Sequence, residues 1–245
     1  MLFYVIGFSL LGSVGAIAVS ALLLLFPQGI RQGLVPCLIS YATGTLLGAA
    51  FLGMIPSALS QAQAPNVLAT VLAGMVLFFV LEKLVLWRHC HEAGCAVHGR
   101  AGPLILIGDA FHNFVDGVVI AAAFLTSIPL GIATALAVIA HEIPQEVGDF
   151  AILLDNGYGR ARALLLNGLS STATLPGAII AYFWLGETRE AVPYILALSA
   201  ASFIYIATAD LIPNLHRQMT FAASLRQVLL LLAGIATIAF FRFGG

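Results

Sequence analysis

Residues 103–154 read PLILIGDAFHNFVDGVVIAAAFLTSIPLGIATALAVIAHEIPQEVGDFAILL. Two apolar runs, at about 103–125 and 129–154, are separated only by the break TSIP. A membrane-spanning helix needs about 20 apolar residues, and each run supplies them. A break this short leaves no room for a crossover, so the two runs form an antiparallel helical hairpin. Both carry ionisable groups in their interiors. An ionisable side chain at mid-membrane costs roughly 2.5–3.5 kcal/mol on insertion scales, so such groups are kept for a use.

Six further apolar runs flank this hairpin, at about 2–26, 34–57, 66–88, 161–185, 192–215 and 221–241. The breaks between the runs are PQGIRQG, SQAQAPN, HCHEAGCAVHGR, DNGYGR, GETREAVP and HRQMT. The fold class expected is all-α: a polytopic membrane protein of eight transmembrane helices in a single transmembrane domain over 1–245. Composition agrees. Of 245 residues, 61% are hydrophobic and 9% charged, and mean hydropathy is +1.04. Soluble domains carry roughly 25% charge, and a disordered chain is far less apolar. The net charge of −1 leaves no basic footprint for nucleic acid. Cys37, Cys90 and Cys95 do not make a disulfide framework. The opening run lacks a basic start and is too long for a signal core, so it reads as the first span.

The ten basic residues divide unevenly between the two ends of the spans. Arg31, Lys83, Arg88, Arg100, Arg160, Arg162, Arg217 and Arg226 lie in or beside loops 1–2, 3–4, 5–6 and 7–8, against Arg189 and Arg242 on the other side. The positive-inside rule puts those four loops in the cytoplasm and both termini outside. Spans 2 and 7, which then run in opposite senses, each carry Ile-Pro near their ends, Ile55-Pro56 and Ile212-Pro213. That fits an inverted repeat of spans 1–3 and 6–8 around the span 4–5 hairpin.

Polar chemistry concentrates in the hairpin. Span 4 holds Asp109, His112, Asn113 and Asp116, and span 5 holds His141, Glu142, Gln145, Glu146 and Asp149. His112 and Asp116 are four apart and share a helix face, as do His141 with Gln145 and Glu142 with Glu146. Asn113 reaches Asp116 at i+3. Imidazole with carboxylate suits first-row divalent metals, zinc foremost. Structural pairing alone would require about seven such costly groups on two adjoining helices. Pro144 removes a backbone donor and frees the Ala140 carbonyl within span 5. Asp109 and Asp149 read as helix-end, ligand-supporting or access residues, and Asp210 with Asn214 as a helix-pairing group or a distant exit site. His89, Cys90, His91, Cys95 and His98 in loop 3–4 give a compositional metal signal beside the plain reading of a cytoplasmic loop.

HNFVDG at 112–117 resembles the HNFxDG signature of the ZIP (Zrt/Irt-like) metal-ion transporters. HEIPQEVGD at 141–149 resembles the HEIPHExGD signature of one large subfamily, as do LFFVLEKLVL in span 3 and IYIATADLIPNL in span 7. The resemblance implies a binuclear site, with His112, Asp116, His141 and Gln145 at one metal position. Asn113, Asp116, Glu142 and Gln145 would line the other, Asp116 bridging, with Asn167 as a further ligand. It also implies a homodimer and a movement of spans 1, 4, 5 and 6 against the rest. Gln145 stands where the subfamily has His, and Ala49, Gly53 and Ser57 stand where its members often carry acidic or His residues.

The function expected is transport of a divalent metal ion toward the cytoplasm, zinc first, with cadmium, iron(II) or manganese as alternatives. The metal site is His112, Asn113, Asp116, His141, Glu142, Gln145 and Glu146. The ion is the transported substrate; no cofactor and no enzymatic activity are expected. The competing reading is an intramembrane zinc hydrolase, because HEIPQE resembles HExxH. It lacks the second imidazole, and hydrolytic zinc usually keeps three firm ligands. A compact, loop-poor chain suits a bacterial inner membrane, with the lipid bilayer as its surroundings.

Overall fold

The computed structural model describes residues 1–89, 101–216 and 220–244, with side chains except for 85–89 and 101–104. Cys90, His91, Cys95, His98, Arg100 and Arg217 therefore lie outside the described residues, as do the side chains of Arg88 and His89.

Eight helices long and apolar enough to cross a membrane make up the fold, and no strand occurs among the described residues. They are α1 (Leu2–Leu24), α2 (Gln28–Leu59), α3 (Ala64–His89), α4 (Ala101–Thr126), α5 (Ile128–Asp155), α6 (Arg160–Glu187), α7 (Arg189–Leu215) and α8 (Phe221–Phe243). The second helix starts well before the apolar run at 34. Pro27 sits just ahead of it, and the polar stretch QGIRQG forms its first turns. Hydropathy marks the part of a helix that suits hydrocarbon, whereas backbone hydrogen bonding carries the helix on into water.

The α4–α5 junction shrinks to Ser127. Its backbone is extended, its hydroxyl accepts a hydrogen bond from Leu130 N at 3.3 Å, and Pro129 follows in the first turn. An N-cap oxygen and an early proline are the ordinary means of starting a helix abruptly, and they set α4 and α5 antiparallel.

Around this hairpin α6 packs along α4 and α1 along α5, while α8 packs along α2 and α7 along α3. Exchanging α1 with α6, α2 with α7, α3 with α8 and α4 with α5 maps each pairing onto another. The internal helices reinforce the match. Both α2 and α7 widen into a six-residue π-helical segment, Ala49–Met54 and Ile206–Leu211, directly before Ile-Pro. A proline cannot donate to the carbonyl four residues back, and widening the preceding turn is one way for a helix to accommodate it.

Glycines set the closest approaches. A Cβ on Gly117 of α4 would overlap the Thr174 carbonyl oxygen of α6, and one on Gly177 of α6 would overlap the Phe114 carbonyl oxygen of α4. Helices brought this near gain dispersion contacts that lipid cannot replace. The half of the hairpin nearest Ser127 is sealed: Ile120–Phe124 and Leu130 are fully buried, with Phe203 of α7. By contrast, α3 and α8 show most of their apolar surface outward, as helices facing lipid do.

Candidate metal centre

The site lies midway along the hairpin. One turn separates His112 from Asp116 on α4, and the antiparallel α5 brings His141 and Glu142 opposite them. Ligand-type atoms of these four residues lie within 4.8 Å of one another. His112 Nε2 stands 3.2 Å from His141 Nε2, 3.3 Å from Glu142 Oε1 and 3.8 Å from Asp116 Oδ2. His141 Nε2 is 3.2 Å from Asp116 Oδ2 and 3.6 Å from Glu142 Oε1.

The tautomer of His141 follows from its other nitrogen. Nδ1–H donates to the Ala137 carbonyl at 2.9 Å, one turn back along α5. In the neutral ring the lone pair then falls on Nε2, facing the cluster, which is how metal-binding histidines are usually oriented. Both oxygens of Asp116 and both of Glu142 are buried and accept no hydrogen bond. Buried polar oxygens are nearly always partnered, and buried charge without a partner is strongly unfavourable. A divalent cation would supply the missing partner.

A second group adjoins the first. Carboxylate oxygens of Asp109, Glu142 and Glu146 also lie within 4.8 Å of one another, all three residues buried. Glu142 is common to both groups. The resemblance names Asp116 as the group that joins two metal positions, and the sequence reads Asp109 as a helix-end, ligand-supporting or access residue; the geometry places Asp109 beside Glu142 and Glu146. The geometry also moves Asn113. Its Nδ2 donates to Asp109 Oδ1 at 2.9 Å and to the Asp109 carbonyl at 3.2 Å, so it turns one turn back along α4 and not toward Asp116. Gln145 likewise donates to Asp109 Oδ1, at 3.3 Å.

Helix α6 closes this second group from behind. Asn167 donates through Nδ2 to the Glu146 carbonyl at 3.2 Å, and its buried Oδ1 is unpartnered. The Ser171 hydroxyl donates to Glu146 Oε1, and the Thr174 hydroxyl reaches Asn113 Oδ1 at 3.0 Å. Asn167 was expected here on resemblance alone; Ser171 and Thr174 were not. The run NGLSSTAT at 167–174 was the available signal, because hydroxyls in mid-span usually bond either their own helix or a neighbour. Here α6 breaks between Ser171 and Thr174, which turns both hydroxyls inward.

A cavity of about 630 Å³ leads away from the cluster. His141, Pro144, Gln145 and Asp149 of α5 line one wall, Val35 and Ile39 of α2 a second, and Asp210 and Asn214 of α7 a third. It runs toward the end of the bundle that carries loops 1–2, 5–6 and 7–8. Among the described residues Asp210 and Asn214 pair within α7 and not between helices: Asn214 Nδ2 donates to the Asp210 carbonyl at 3.0 Å and to its carboxylate at 3.3 Å.

Comparison with known proteins identifies the family. The family model described as ZIP Zinc transporter matches residues 87–242. Zinc transporter ZIP13 of Pongo abelii is 35% identical over 219 residues, which is 83% of this chain and 66% of that protein. Zinc transporter ZIP13 of Homo sapiens is 30% identical over 258 residues, 83% of this chain and 70% of that protein. Zinc transporter ZIP4 of Mus musculus is 47% identical over 111 residues, 45% of this chain and only 16% of that protein. The chain thus spans part of the length of each relative, and each relative is named as a transporter. With eight membrane-length helices, paired His and carboxylate groups on α4 and α5, and a family match over most of its length, the chain belongs to the ZIP zinc transporter family.

Proposed function

We propose that the protein carries divalent metal ions across a membrane toward the cytoplasm, zinc first, through His112, Asn113, Asp116, His141, Glu142, Gln145 and Glu146. The observation that carries this reading is the convergence of two imidazole nitrogens with four buried, unpartnered carboxylate oxygens. Such a set holds a small dication without thiolates. Mixed nitrogen and oxygen ligands leave it releasable, whereas a closed Cys-rich site would trap it. Glu142, shared between the two groups, fits an ion passing from one position to the next without full rehydration.

The direction rests on charge and on the cavity. Described basic residues Arg31, Arg160, Arg162 and Arg226 cluster at the end toward which the cavity runs, and the positive-inside rule makes that end cytoplasmic. Asp149 and Asp210 then line the release route. The packed half beyond Ile120–Phe124 faces outward, so the arrangement fits an inward-facing carrier. Termini outside, a bacterial inner membrane and a homodimer belong to the same reading; the exposed apolar faces of α3 and α8 fit lipid or a second copy. Cadmium, iron(II) and manganese remain alternative substrates.

The hydrolase reading loses its support at Gln145. That side chain donates its amide to Asp109 and supplies no second imidazole to HEIPQE. The deciding experiment is zinc uptake into proteoliposomes with an internal indicator. Saturable uptake that is lost in Asp116→Ala supports the reading. Absence of uptake of zinc, cadmium, iron and manganese by folded wild-type protein overturns it.

A further inference from the structure

The Thr174 hydroxyl has one proton and two acceptors. It lies 3.0 Å from Asn113 Oδ1 and 2.9 Å from the Ser171 carbonyl, so the two oxygens compete for one hydrogen. A hydroxyl also accepts hydrogen bonds. Were the Asn113 amide turned over, Nδ2 would donate to Thr174 Oγ1, and the Thr174 proton would go undivided to Ser171. The competition would vanish. What holds the amide as it stands is Asp109, whose Oδ1 and backbone carbonyl both accept from Asn113 Nδ2. Turned over, Asn113 Oδ1 would face those same oxygens, and acceptors placed against one another repel unless a cation lies between them.

We propose that Thr174 is a positioning residue that lets the Asn113 amide turn when a divalent cation enters the Asp109–Glu142–Glu146 group. The inference rests on the metal-site reading above. Asn113 then acts in two ways. In one orientation its N–H groups satisfy Asp109; in the other its carbonyl oxygen, a fit ligand for a hard or borderline dication, faces the ion. Thr174 partners both orientations, and it partners the turned one better. Asn113 and Thr174 are both buried, so water does not take over the role.

The consequence is confined to one of the two ion positions. Thr174→Val removes the hydroxyl at nearly constant volume. It takes away the extra hydrogen bond of the turned state, which corresponds to roughly three- to tenfold weaker binding at that position. Thr174→Ser restores it. Asn113→Leu separates the proposal from a fixed amide: if Asn113 only ever donated to Asp109, its removal would free Asp109 Oδ1 and leave binding equal or tighter. If the amide turns, its removal loses a ligand and weakens binding.

The test is calorimetric titration of the full chain in lipid nanodiscs with Zn²⁺. Wild type is expected to bind two ions. Weakening of one of them in Thr174→Val, rescue in Thr174→Ser, weakening in Asn113→Leu and no further loss in the double variant are the expected results. Two unchanged ions in Thr174→Val, or tighter binding in Asn113→Leu, overturn the proposal while the metal site stands. No zinc binding by wild type overturns both. Should Thr174→Val fail to fold, Thr174→Ala, which also removes the hydroxyl, is titrated in its place: weakening of one ion supports the proposal and two unchanged ions overturn it.

Discussion

Gly117, the last residue of HNFVDG, offers a sharp test of how the helices are held. A Cβ at this position would overlap the Thr174 carbonyl oxygen and lie 2.6 Å from Ala178 N, both backbone atoms of α6. Both atoms belong to the α6 segment that starts at Thr174, and helical backbone cannot swing aside as a side chain does. To restore ordinary contact α4 and α6 must part by about 1 Å, and a gap of that size forfeits up to about half of each affected dispersion contact. Overpacking of this kind costs about 1–3 kcal/mol. At ~2–4 °C per kcal/mol for a chain of this size, Gly117→Ala should melt roughly 3–10 °C lower. Gly108→Ala on the same helix is the control, because nothing lies within 4 Å of its added Cβ; replacing a helical glycine there should stabilise by about 0.5–1 kcal/mol. Thermal unfolding of both variants in nanodiscs, followed by intrinsic fluorescence, gives the comparison. The same displacement pulls Thr174 from Asn113, so zinc binding should weaken with the lowered melting point. A Gly117→Ala protein that melts with wild type would refute the close α4–α6 approach and everything derived from it.

Three other outcomes are expected. Glu142→Gln should weaken both bound zinc ions in a titration, whereas Glu146→Gln should weaken one, because only Glu142 belongs to both groups. Gln145→His should tighten zinc by about tenfold and raise its preference over manganese, since imidazole outranks an amide for borderline metals; competition between the two metals in uptake measures this. Uptake should slow below about pH 6, where protons compete with metal for imidazole nitrogen, and a rate unchanged from neutral pH to pH 5 would exclude that competition.

Much of the hairpin was legible because its signals are local. The cost of ionisable groups in hydrocarbon singled out His112, Asp116, His141 and Glu142 without any knowledge of neighbours, and helical periodicity placed His112 and Asp116 on one face. Asp109 was harder to place. Its position in span 4 says only that it lies one turn from His112 and from Asn113; joining Glu142 and Glu146 depends on how α5 is rotated against α4. The Asn113 amide illustrates the same limit. Spacing allows it to reach either Asp116 at i+3 or Asp109 at i−4; in the fold it donates to Asp109, while its oxygen meets Thr174 from another helix.

The amino-acid sequence by itself determined eight membrane-length helices, the tight reversal at Ser127 and the presence of imidazoles and carboxylates at mid-membrane, because burial cost and backbone hydrogen bonding act along the chain. Only the tertiary structure decided that Glu142 is shared between two groups, that Ser171 and Thr174 close the second from α6, and that the cavity leads past Asp149 and Asp210. Those features depend on distances between helices far apart in the chain. Such distances are set by close packing at residues such as Gly117 and Gly177, where an absent side chain leaves no periodic signal to read.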